Sequence, residues 1–122
     1  PAARSQPGFA SYRDLESVPM RQIEDDADLD VFGDGTVLIV QAPGHTPGHI
    51  VLLLKLQQAG AVLLAGDVWN TKESRGPPRG TPAELASINK VEALISATNA
   101  RVIRQHVAED FEALPQFPNY LR

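Results

Sequence analysis

The chain has 122 residues, of which 43% are hydrophobic and 21% charged, with a formal net charge of -4 and no cysteine. That length suits one domain with a packed core. The missing cysteines exclude disulfides and thiolate metal sites, and the acidic balance argues against nucleic acid or an anionic membrane as the main partner. No apolar run approaches the roughly 18 residues of a membrane span. The first residues, PAARSQPGFA, contain no apolar segment of the kind a signal peptide needs. A soluble protein is therefore expected, with its compartment unknown. The lack of an initiator Met reads as a processed or trimmed start.

Residues 1–27 are rich in Pro, Arg, Ser and acidic side chains and read as an extended lead-in, with a short helical turn around Tyr12–Val18. Residues 28–122 read as the folded part. Leu29, Val31 and Phe32 lead into Gly33-Asp34-Gly35, a turn signal, and then into the β-branched run Thr36–Gln41, which predicts a hairpin. Ile50–Leu56 and Ala61–Ala65 are two further apolar runs joined by Gln57-Gln58-Ala59-Gly60. Runs this apolar predict strands buried on both faces.

Thr81-Pro82-Ala83-Glu84 announces a helix: an N-cap threonine, proline at the first helical position and glutamate at the third. Leu85, Ile88, Val91, Leu94 and Ile95 then recur at helical spacing, and the helix should run to about Ala97–Asn99. Arg101–Arg104 predicts a short strand and Ala108–Leu114 a short helix stopped by Pro115. The tail FPNYLR is apolar enough to dock. Hairpins followed by a capped helix and a last strand make a layered α/β (α+β) domain.

Three polar sites sit at the ends of apolar strands. His45 and His49, two of the three histidines in the chain, share the loop Gly44-His45-Thr46-Pro47-Gly48-His49. The Gly/Pro frame stiffens that loop, and neutral imidazole is the commonest metal ligand; a tight turn with two incidental histidines would look the same. Asp67 follows Gly66 after AVLLA. A carboxylate there must be paired, bound to metal or hydrogen-bonded to backbone amides. His106 follows the RVIR strand and taken alone reads as an ordinary loop histidine.

Taken together, strand–GHTPGH, strand–GD, helix and strand–QH resemble the metallo-β-lactamase superfamily over about residues 28–120. The resemblance implies the C-terminal half of an αββα sandwich, with zinc as cofactor, two per complete site. It implies His45 as ligand to one metal, His106 as ligand to the other and Asp67 as the bridge, with His49 structural. GDVWNTKES and VIRQHVAEDFEALPQFPNYL look most like the N-acyl-homoserine lactonase branch. That branch often has Tyr three residues after the bridging Asp, to polarise the lactone carbonyl; here the position is Asn70, whose amide could donate in its place. Trp69 and Phe111 either line an acyl pocket or pack in the core. Asp110 either orients His106 or caps the short helix. The residue after the last ligand is often acidic in that branch and is Val107 here, and Gln105 stands where Gly is more common.

The implied activity is hydrolysis of esters or lactones, acyl-homoserine lactones among them, by metal-activated water. A glyoxalase II-type thioesterase, a β-lactam hydrolase of the same superfamily, and a non-catalytic binding or oligomerisation module are the alternatives. The family's His-x-His-x-Asp-His signature is not in this chain, and its three histidines are already assigned. The expectation is therefore an inactive piece of a longer enzyme. Its missing N-terminal half would be its natural partner, and as an isolated chain it would cover its open sheet face as a homo-oligomer. The weaker expectation is a single metal held by His45, Asp67 and His106.

Overall fold

The computed structural model describes residues 13–19, 21–24, 27–69 and 80–122. A 3-10 helix, Arg13–Ser17, stands where the short helical turn is expected. The elements that follow are β1 (Leu29–Asp30), β2 (Val37–Gln41), β3 (Ile50–Leu56), β4 (Gly60–Leu64), α1 (Pro82–Thr98), β5 (Arg101–Ile103) and α2 (Ala108–Glu112). The strands form one sheet in the order β1-β2-β3-β4-β5. The first three pairings are antiparallel, and β4 pairs β5 in parallel. The parallel pair follows from the connection: α1 carries the chain back before β5 begins, as a parallel neighbour requires.

Local chemistry explains the turns. In the β1–β2 turn, Gly33 and Gly35 both have φ of 75°, and their amides donate to the Asp30 carboxylate at 3.0 and 2.7 Å. The β3–β4 turn is tied to the C-terminus, because the Gln58 and Ala59 amides donate to the Arg122 carbonyl at 2.7 and 2.6 Å. The tail thus docks through its backbone. Its aromatic side chains stay in solvent, with Phe117 97% and Tyr120 69% exposed, so the apolarity of FPNYLR is not what holds it.

At the start of α1 the Thr81 amide donates to Glu84 Oε2 at 2.6 Å and the Glu84 amide donates to Thr81 Oγ1 at 3.3 Å, the reciprocal cap expected from the sequence. The Thr81 amide and hydroxyl hold the Glu84 carboxyl below its ordinary range. Asn99, in the left-handed conformation at φ 52°, closes the helix.

One face of the sheet is closed. Val40, Val51, Leu53, Leu63 and Ala65 are buried with Val91 of α1 and with Trp69, while Ile88, Leu94 and Ile95 pack against them. The other face carries a row of aliphatic side chains across all five strands: Leu29, Ile39, Leu52, Leu64 and Ile103, paired in register. Four of these are half-buried and Ile103 is buried; β4 is buried on both faces, at Val62 and Leu63, whereas β3 is buried only on the α1 face, at Val51 and Leu53, so burial on both faces holds for β4 and not for β3. Apolar runs show that a strand is greasy, and its coverage is set by which layers flank it. Here α1 covers one face. Among the described residues no helix is long and apolar enough to cross a membrane.

Candidate metal centre

The three polar strand ends meet at one edge of the sheet. Asp67 follows β4, the loop bearing His45 joins β2 to β3, and His106 follows β5. His106 Nε2 lies 2.6 Å from Asp67 Oδ1, and His45 Nε2 lies 3.7 Å from Asp67 Oδ2. One carboxylate thus has an imidazole at each oxygen, contributed by a different loop. All three side chains are reachable from solvent, at 47% for His45, 58% for His106 and 35% for Asp67.

His49 is not part of that trio. Its Nδ1 lies 3.1 Å from the Ala42 carbonyl, and the Asp67 amide donates to its Nε2 at 2.9 Å. A carbonyl partner requires a hydrogen on Nδ1 and an amide partner requires a lone pair on Nε2, which assigns the tautomer of a neutral ring. Gly66 makes this approach possible: its φ is 55°, and a Cβ there would stand 2.7 Å from His49 Nε2.

The histidine loop is fixed from the helix side as well. Ser87, buried within α1, donates its hydroxyl to the Pro43 carbonyl at 2.6 Å. Lys90 Nζ donates to the Gln41 carbonyl at 3.1 Å and to Asp28 Oδ1 at 2.7 Å. Gly44 lets the loop lie against the helix, since a Cβ there would stand 2.7 Å from Glu84 Cγ. Between loop and helix runs a cleft of about 140 Å3 whose walls include His45, Asp67, Glu84 and Ser87. Ser87 and Lys90 carry no signal in the sequence, because their partners lie 44 and 49 residues away.

Two other expectations resolve differently. Asp110 does not face His106. Its carboxylate takes the Arg104 guanidinium at 2.7 Å through both Nε and Nη2, and the Arg104 amide at 3.0 Å. Those hydrogen bonds hold the Asp110 carboxyl below the usual carboxylate range. Trp69 is core, 1% exposed, and Phe111 is 66% exposed, so neither forms a wall of the cleft. Asn70 lies outside the described residues.

The donors suit a borderline metal in kind, being neutral imidazole nitrogen and carboxylate oxygen. In number they fall short. Among the described residues no group of three or more His, Cys, Asp or Glu side chains could hold a metal ion. The carboxylate lies between the imidazoles, with each histidine facing its own oxygen.

No protein-family model matches the chain. An N-acyl homoserine lactonase, AttM, of Azorhizobium caulinodans is 32% identical over 97 residues, covering 75% of this chain and 37% of the relative. An N-acyl homoserine lactonase of a Bacillus species is 34% identical over 90 residues, covering 70% and 36%. Among solved structures, an N-acyl homoserine lactone hydrolase with N-hexanoyl-L-homoserine bound at its catalytic metal centre superimposes with a TM-score of 0.67. It is 29% identical and is matched over 78% of this chain and 39% of its own. A hydrolase of the β-lactamase superfamily, AbOPH, shares the fold at TM-score 0.57 and 17% identity, over 81% of this chain and 34% of its own. Fold and sequence together show that the chain shares the metallo-β-lactamase fold of these lactonases. It is related to the N-acyl homoserine lactonases and spans a little over a third of the length of those it matches, 37% in the first case.

Proposed function

We propose that this chain carries one side of the metal centre of a lactone or ester hydrolase, with acyl-homoserine lactones as the substrate class. The observation that carries the proposal is the Asp67 carboxylate, with one oxygen toward His45 at 3.7 Å and the other toward His106 at 2.6 Å. In this reading His45, His106 and Asp67 would be this chain's ligands to a zinc centre completed by other residues. The metals, when bound, supply Lewis acidity toward the carbonyl and acidify water. The chain's own residues set positions: His45 and His106 fix the two sides of the site, and Asp67 fixes their separation. Asn70 is the residue assigned to contact the substrate carbonyl, by its place three residues after Asp67. The remaining ligands come from a segment outside these 122 residues, so this chain alone is inactive.

The supporting facts are the donor chemistry, the convergence of three strand ends, and the activity named for the relatives. The test is hydrolysis by the protein as its gene encodes it, offered an N-hexanoyl-homoserine lactone, a thioester and a β-lactam. The lactone should be preferred. Asp67→Asn should lower kcat/KM by more than about a hundredfold, and Asn70→Ala should lower kcat by roughly tenfold or more. Preference for the thioester or the β-lactam would reassign the substrate, and an Asp67→Asn variant of undiminished activity would overturn the reading.

A further inference from the structure

We infer that Glu84 is a specificity-determining residue of the cleft beside His45 and Asp67, where the carboxylate oxygen left open by the helix cap accepts a hydrogen bond from the amide N–H of an N-acyl lactone. The inference rests on the proposed lactone-hydrolase function. The Thr81 amide donates to Glu84 Oε2 at 2.6 Å, and among the described residues Oε1 takes no hydrogen bond. The cap thus uses one oxygen of the two. An ionised carboxylate only accepts, so a partner for Oε1 must bring a donor. A plain lactone or ester has no N–H to offer. A simple acyl-homoserine lactone has one, on its amide.

The Glu84 side chain is held where it stands. Backbone closes on it from two directions, each time at a glycine: a Cβ on Gly44 would lie 2.7 Å from Cγ, and one on Gly80 would lie 2.6 Å from Oε2. Glu84 shares the cleft of about 140 Å3 with His45 and Asp67, and among the described residues no Lys or Arg lines it. With no cation there to take it, the open oxygen is free for what enters. In an acyl-homoserine lactone the amide nitrogen is bonded to the ring carbon beside the lactone carbonyl. A group that meets this nitrogen must therefore stand in the same small space as the residues that meet the carbonyl, and Glu84 does.

Glutamine at this position separates the two oxygens. A capping box takes Gln as well as Glu at its third helical position. In Glu84→Gln the side-chain carbonyl serves the Thr81 amide, and the NH2 group turns to the cleft, where it donates and cannot accept. In the protein as its gene encodes it, kcat/KM is measured for N-hexanoyl-homoserine lactone and for γ-decalactone, which has the same five-membered ring and no amide. Wild type should prefer the amide-bearing lactone. Glu84→Gln should lower the ratio of the two kcat/KM values by roughly tenfold or more, with the change in KM, because a site that accepts a substrate N–H loses its discrimination when the acceptor goes. A purely structural role would lower both values together. A ratio equal to that of wild type, or a wild type that does not prefer the amide-bearing lactone, would overturn the inference and leave the lactonase reading in place. A wild type that hydrolyses neither lactone would overturn that reading and this inference with it.

Discussion

At Gly66 the backbone stands at φ 55°, and an added Cβ would lie 2.7 Å from His49 Nε2. A left-handed backbone and a clash at the same residue both oppose a side chain. Gly66→Ala should therefore destabilise the fold by about 1–3 kcal/mol. A denaturation midpoint unchanged from wild type would contradict that. The Arg104–Asp110 pair makes a different kind of prediction. Arg104 holds the Asp110 carboxyl below the usual range, and both side chains are largely shielded, at 14% and 16% exposed. A carboxylate with a depressed folded-state pKa stabilises fully above its unfolded value of about 4, and that stabilisation is lost as pH falls through the folded value. Asp110→Asn should cost about 1–2 kcal/mol near pH 7. Its deficit against wild type should shrink as unfolding is measured at progressively lower pH below 4. A deficit independent of pH would contradict the assignment.

At the level of elements, α1 shows what local sequence can specify. Thr81, Pro82 and Glu84 announce the start of the helix, and the structure has the reciprocal cap there. Thr81→Ala should cost about 1 kcal/mol, read from urea denaturation. β3 is equally legible, because six of the seven positions from Ile50 to Leu56 are apolar and leave little choice. The coverage of β3 is not legible: Val51 and Leu53 are buried, while Leu52 and Leu54 are only half so. That difference depends on where α1 docks, a matter of tertiary packing. The site divides in the same way. His45, Asp67 and His106 stand out because each is a polar residue ending an apolar strand. For Asp110 the sequence leaves two readings open, orienting His106 or capping the short helix; instead the guanidinium of Arg104 takes the carboxylate in charge-assisted bonds.

For the whole molecule, the row Leu29, Ile39, Leu52, Leu64 and Ile103 is the main open question of surface chemistry. Apolar faces of this extent are normally covered. The isolated 122-residue chain should therefore self-associate, and light scattering should show a dimer or larger species that Leu52→Glu shifts toward monomer. A monomer at high concentration would contradict this. The relatives named as lactonases are matched over only 37% and 36% of their lengths.

The most direct measurement is the metal content of the protein as encoded after zinc loading and gel filtration, by elemental mass spectrometry, beside its Asp67→Ala variant. If His45, His106 and Asp67 are this chain's ligands to a zinc centre, the wild type retains stoichiometric zinc and the variant loses most of it. A variant that keeps as much zinc as the wild type would contradict the proposed centre.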